Sequence, residues 1–186
     1  MSDTSVLPNL VLEGFMGTGK STLGAILAAR LEWDYLDTDE MAERDAGMSI
    51  KEIFTQRGEA GFRALERSAC LQAAARTRVV IATGGGALLD PESRAALEAS
   101  GVVILLTCEP AALLLRLRES ALRGERPMLA ENFEERVNEL LHIREELYSS
   151  IPLKVDTTGV TPEEAASRVM ELYGSAAQDW VSACII

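Results

Sequence analysis

Short apolar runs rich in β-branched residues alternate along this chain with longer stretches of helical period, and each run closes in a polar or glycine-rich turn. That alternation predicts an α/β domain with a parallel sheet covered by helices on both faces. Strands are expected at residues 9–13, 33–36, 79–82, 102–107 and 153–156. Helical periodicity falls on residues 20–31, 38–45, 50–56, 59–76, 91–99, 110–118, 133–149 and 162–173. Thr161-Pro162-Glu163-Glu164 is a helix start with a capping hydroxyl, proline in the first turn and acids at the positive end of the dipole. No internal repeat or low-complexity segment interrupts the pattern.

Residues 119–132 stand apart. Gly124 and Pro127 break any helix there and the apolar period is lost, so the segment is expected to be a long loop. From Arg116 to Arg126 it carries four arginines against two glutamates, although the whole chain has a net charge of −11. That local reversal of sign predicts a mobile segment that meets an anion. The closing residues, 175–186, contain Trp180 and carry no motif.

With 186 residues, 47% of them apolar, the chain is long enough for one domain with a core that needs no disulfide or structural metal. Cys70, Cys108 and Cys184 are odd in number and show no CxxC spacing, and His142 is the single histidine, so neither a disulfide framework nor a zinc site is expected. The apolar runs are too short to span a bilayer, and residues 1–9 lack the basic and apolar blocks of a secretory signal. A cytoplasmic protein is the simplest expectation. Net acidity argues against nucleic acid or an anionic membrane as partner, so any anion must be met by locally gathered positive charge.

The sharpest signal is Gly14-Phe15-Met16-Gly17-Thr18-Gly19-Lys20-Ser21, which satisfies GxxxxGK[ST] between an expected strand and an expected helix. Glycines let backbone N–H groups curl around a polyphosphate, Lys20 adds a point charge, and the Ser21 hydroxyl suits Mg²⁺. Gly17, Thr18, Gly19, Lys20, Ser21 and Thr22 are therefore the candidate nucleotide-binding residues. A GTPase switch would need an Asn-Lys-x-Asp guanine reader, which none of Asn9, Asn132 and Asn138 begins. A motor ATPase would carry a carboxylate at the end of an apolar strand, but residues 79–82 lead into Thr83-Gly84-Gly85-Gly86. The acids stand instead in Asp37-Thr38-Asp39, after the second strand. Carboxyl ends of strands line the ligand crevice of an open α/β sheet, so Asp37 can serve magnesium while Asp39 accepts a hydrogen bond from a hydroxyl to be phosphorylated. That pattern fits a small-molecule kinase.

The ordered set GFMGTGKST, DTD, GMSIKEIF, GEAGFRALE, IATGGG, RPML, REELY and VDT resembles the shikimate kinase family over nearly the whole chain. The resemblance implies a three-layer P-loop kinase fold with a five-stranded parallel sheet, a mobile lid at 119–132 and an acceptor-binding helical region at 38–76. It implies transfer of the ATP γ-phosphate to the 3-hydroxyl of shikimate, with Mg²⁺ as cofactor and shikimate and ATP as small-molecule partners of a monomer. By position, Lys20 would bind the β and γ phosphates, and Ser21 and Asp37 would serve the metal. Asp39 would hold the acceptor hydroxyls and act as base. Arg63 and Arg144 would clamp the acceptor carboxylate, Gly85 would donate a backbone contact, and Arg126 would descend with the lid as a catalytic and phosphate-binding group. Spacing alone reads Arg63 as an ordinary helix partner of Glu59. The adenine contact near the lid falls to Arg116 or Arg118. A sugar-acid kinase of gluconate type and an inactive nucleotide-binding module are the rival readings. Trp33 and Tyr35 are expected to pack, His142 to lie on the surface, and Cys70 and Cys108 to be small buried groups.

Overall fold

The computed structural model describes residues 7–122 and 133–184. Five parallel strands, β1 (Asn9–Gly14), β2 (Asp34–Asp37), β3 (Val79–Ala82), β4 (Gly101–Thr107) and β5 (Lys154–Asp156), form one sheet in the order β2-β3-β1-β4-β5. Helices α1 (Lys20–Leu31), α2 (Thr38–Ala46), α3 (Ile50–Ala74), α4 (Pro91–Ser100), α5 (Pro110–Leu122), α6 (Phe133–Ser150) and α7 (Pro162–Cys184) complete the chain. β1 is central and buried at every position. Its alternating side chains supply two cores: Leu10 and Leu12 meet residues of α1 and α7, whereas Val11 meets residues of α3, α4 and α6. The three-layer α/β architecture expected from the alternation is therefore present.

Several boundaries differ from expectation for identifiable reasons. The two helices read at 50–56 and 59–76 join as α3, with a break at Gly58, where φ is 67° and ψ −174°. Helix α5 runs through Leu122, because Glu119 to Leu122 contain no helix breaker; the first part of the expected loop is helical. The rest of that loop, with Arg126, lies outside the described residues. A 3-10 turn at Ala87–Leu89 follows the glycine triplet and was not expected. Helix α7 continues past Tyr173 to Cys184, and Ala177 sits in the α1-side core at 4% exposure, so most of the segment 175–186 is the end of a packed helix. Trp33 precedes β2 and meets Tyr173 edge-to-face at 6.0 Å, as a packing residue should. Cys70 is buried and its thiol is pushed up to about 12 by burial, but Cys108 is only half-buried, a correction to the expectation for it. His142 is exposed beside Glu145 at 3.3 Å. No described helix is long and apolar enough to cross a membrane.

Candidate active site

The turn after β1 is a glycine-rich loop that leads into α1. Gly14, Gly17 and Gly19 take φ of 151°, 83° and 99°, so a side chain at any of them would be strained. At Gly14 space also forbids one, since a β-carbon would stand 2.5 Å from Leu106 O. Thr18 closes the loop by donating from Oγ1 to Phe15 O at 2.8 Å. Lys20 opens α1 and curls its ammonium back to Gly14 O at 2.5 Å and Phe15 O at 3.2 Å. Burial pushes the Lys20 ammonium below its ordinary range, and the acids Glu13, Asp39 and Asp37 oppose that. Ser21 and Thr22 follow on the first turn, both exposed.

Asp37 ends β2 and caps α2: its Oδ1 accepts from the N–H groups of Asp39 at 3.0 Å and Glu40 at 3.4 Å. Its Oδ2 accepts from Ser21 Oγ and from Tyr35 OH, each at 3.2 Å. Sequence reading gave Tyr35 only a packing role, and its hydroxyl proves to aim Asp37. The capping duty of Asp37 and its contact with Ser21 coexist because different oxygens serve them. A hydroxyl and a carboxylate side by side at a phosphate cradle are hard oxygen donors of the kind Mg²⁺ takes when it keeps most of its water. The residues present therefore fit that ion.

The glycine triplet after β3 is the meeting place of the remaining groups. Gly84 N–H donates to Thr38 Oγ1 at 2.9 Å and Tyr148 OH donates to Gly85 O at 2.9 Å, so the loop is pinned from both sides. A β-carbon on Gly84 would stand 2.5 Å from Asp39 Oδ1 and 2.7 Å from Glu66 Oε1. One on Gly85 would stand 2.8 Å from Arg144 Nη1, and one on Gly86 would stand 3.4 Å from both Arg144 Nη2 and Arg63 Nη1. Absence of side chains on this triplet thus lets two guanidinium groups and two carboxylates share one small space.

Arg63 does pair with Glu59, at 3.5 Å, but its shorter contact is Nη1 to Glu66 Oε2 at 2.6 Å, with Glu66 3% exposed. Arg144 is 8% exposed and lies over the Phe15 ring at 5.0 Å from its centroid. The Asp39 carboxyl is raised to about 6, chiefly by burial and then by Asp37 and Glu66, against the pull of Lys20. A carboxylate so placed is a competent proton acceptor near neutral pH. Of the two arginines near the lid, Arg116 reaches Gly17 O at 3.4 Å and Thr157 Oγ1 at 3.0 Å, whereas Arg118 pairs with Glu134 on the surface. Sequence reading missed Glu66, Thr38 and Tyr148, which contact Arg63, Gly84 and Gly85, and the buried Glu13, which accepts from Thr83. Only Glu13, a lone acid at the end of an apolar strand, left a visible trace.

The chain as a whole is similar to known proteins. A family model described as shikimate kinase matches residues 16–173. A shikimate kinase of Caldanaerobacter subterraneus is 42% identical over 168 residues, 90% of this chain and 96% of the relative. One of Streptomyces coelicolor is 42% identical over 166 residues, 88% of this chain and 94% of the relative. The structure of the Acinetobacter baumannii shikimate kinase in complex with shikimate superposes with a TM-score of 0.83 at 34% identity, covering 92% of this chain and 96% of that one. A gluconokinase of Sinorhizobium meliloti reaches a TM-score of 0.63 at 15% identity and shares the fold alone. On the family match and these relatives, the chain belongs to the shikimate kinase family.

Proposed function

We infer that this chain transfers the γ-phosphoryl group of ATP to the 3-hydroxyl of shikimate, giving shikimate 3-phosphate and ADP in the route to chorismate and the aromatic amino acids. The observation that carries the assignment of residues is the convergence of Arg63 and Arg144 on Gly86, beside Asp39 and the phosphate cradle. Two guanidinium groups around one point suit a carboxylate, which a forked pairing would orient so that one ring hydroxyl faces Asp39. Gly85 supplies backbone to the same contact. Asp39 then takes the hydroxyl proton as the acceptor oxygen bonds to the γ-phosphorus and the bond to the β-phosphate oxygen breaks. Lys20 leaves the carbonyls of Gly14 and Phe15 for the β and γ phosphates, with the N–H groups of Gly17, Thr18 and Gly19 beside it and Ser21 and Thr22 at the helix start. Ser21, with Asp37 through water, would hold Mg²⁺, which would neutralise phosphate charge.

Arg126 completes the phosphate contacts from the lid, as the RPML motif implies. Arg116 is assigned to the adenine in preference to Arg118, because it stands between the P-loop and the turn after β5. Residues 38–76 form the acceptor-binding region, and 119–132 the lid, within a single domain. Unpaired Cys70 and Cys108 support a cytoplasmic location, and the site needs no second subunit, in keeping with a monomer whose partners are ATP and shikimate. The gluconate-type reading has only a shared fold behind it, and an inactive module would have no use for an intact Lys20, Asp39, Arg63 and Arg144.

The residue assignment is tested by replacing the arginines. Arg63→Ala and Arg144→Ala are each expected to raise the KM for shikimate about 10- to 100-fold, the effect of losing a hydrogen bond to a charged group. The KM for ATP should change little. A change confined to the KM for ATP would show that these arginines serve the nucleotide instead.

A further inference from the structure

Glu13 stands at the carboxyl end of β1, in a strand with no exposed position, and is itself 0% exposed. By alternation it projects on the side of Val11, toward the layer that holds α3 and α6. Oε2 accepts from Thr83 Oγ1 at 2.5 Å. Oε1 has no hydrogen-bond partner among the described residues, and the other buried side-chain atom in that condition is Arg144 Nη1. One is an acceptor on an acid and one a donor on a base, and Arg144 Nη1 lies at the end of β1, since a β-carbon on Gly85 would stand 2.8 Å from it and 3.0 Å from Gly14 O. Burial raises the Glu13 carboxyl to about 7, with Lys20 foremost, then the Thr83 and Gly14 hydrogen bonds and last Arg144 pulling it back down. Tyr148, which pins Gly85, feels both Glu13 and Arg144.

The sheet has no packing need for an acid at this position. An apolar residue would fill it without the cost of several kcal/mol that a buried carboxylate carries. Each acceptor arginine thus has an acid behind it: Glu66 in direct contact behind Arg63, and Glu13 acting through space behind Arg144. The difference matters because Glu145 and Glu146, the next two residues of α6, are exposed, whereas Arg144 is turned inward and buried.

We propose that Glu13 is a positioning residue for the acceptor: its buried carboxylate, aimed by Thr83, holds the Arg144 guanidinium inward over Phe15 and beside Gly85 and Gly86, in the pose that the acceptor carboxylate meets. The inference rests on the reading of Arg144 as a ligand of that carboxylate. Glu66 does not substitute, because Arg63 already occupies it at 2.6 Å.

The test is a double-mutant cycle on the full chain, with steady-state kinetics of shikimate phosphorylation for wild type, Glu13→Gln, Arg144→Ala and the double variant. Glu13→Gln keeps the shape and removes the charge. It is expected to raise the KM for shikimate about fivefold or more, with the KM for ATP within about twofold, while any loss in kcat reports the Glu13 charge beside Lys20 and persists in the Arg144→Ala background. In the Arg144→Ala background the same change should add less than about twofold, because the residue it positions is gone. A purely structural role would spread over kcat and both KM values and would multiply independently of Arg144. That result, or an unchanged or lowered KM for shikimate in Glu13→Gln, would overturn the proposal. If Arg144→Ala itself left the KM for shikimate unchanged, the reading of Arg144 would fall and this inference with it. A damaged Arg144→Ala beside an unaffected Glu13→Gln would sink the inference alone. Should Glu13→Gln not fold, Glu13→Val repeats the cycle, since apolar replacement of a buried charge is often neutral or stabilising.

Discussion

Asp39→Asn is expected to lower kcat by about 10²- to 10⁴-fold, the range for loss of a positioned general base, while the protein folds and binds both substrates. The amide keeps the size and the hydrogen-bonding edge of the side chain but cannot take the hydroxyl proton. Its effect should therefore appear in single-turnover measurements, where product release does not contribute. The wild-type pH profile carries a second check. Burial, Asp37 and Glu66 raise the Asp39 carboxyl to about 6. The base is active when ionised, so kcat/KM should fall as pH drops through that region. Mg²⁺ beside Asp37 favours the ionised form and would move the limb to lower pH. Asp39→Asn should lack the limb at whatever pH the wild type shows it. A variant that kept a tenth or more of the wild-type rate would remove Asp39 from the role of base.

Lys20→Met is expected to cost about 10²- to 10³-fold in kcat, comparable to the loss of one preorganised donor at a developing charge. The structure shows why arginine would not rescue it. The Lys20 ammonium folds into a tight turn against the carbonyls of Gly14 and Phe15, a space suited to a compact point charge and not to a planar fork. Losing that ammonium also leaves Glu13 and Asp39 without a cation that favours their charged forms. Both effects should appear as slower phosphoryl transfer at saturating ATP and shikimate. A Lys20→Met enzyme with unchanged kcat and a raised KM for ATP would mean that the lysine only binds nucleotide.

How much of this was legible in the sequence depended on whether the signal was local. The phosphate loop was, because glycine, lysine and hydroxyl at fixed spacing are demanded by one short turn, and the structure places each of them there. The strands were legible within a residue or two for the same reason: buried runs such as Val79–Ala82 have no other use. Helix ends were less so. Gly174 and Ser175 look like a stop, but Ala177 is buried on the α1 side, and packing offsets the roughly 1 kcal/mol that a helical glycine costs. Gly58 looks like a boundary between two helices, and the chain instead bends there and continues.

At the site, the reactive groups were legible and their supports were not. Spacing paired Arg63 with Glu59, and that pair exists, but the closer partner is Glu66, three residues on and turned into the core. Arg144 is followed in sequence by two glutamates, yet it is buried in a space opened by Gly85 and Gly86. Those outcomes depend on the packing of α3 and α6 against the end of β1, distances of many tens of residues along the chain, which no local pattern encodes. Arg116 and Arg118 illustrate the same limit. They are equivalent by sequence, and the helix turns one toward Gly17 and the turn after β5 and the other toward Glu134.

The central claim is that this site phosphorylates shikimate. The direct measurement is ADP release in a coupled assay with ATP, Mg²⁺ and, in turn, shikimate, quinate and gluconate, with Asp39→Asn as the control. Rapid ADP formation that depends on shikimate, and is lost in the control, is the predicted result. Turnover of gluconate without turnover of shikimate, or nucleotide binding with no acceptor-dependent ADP at all, would contradict it.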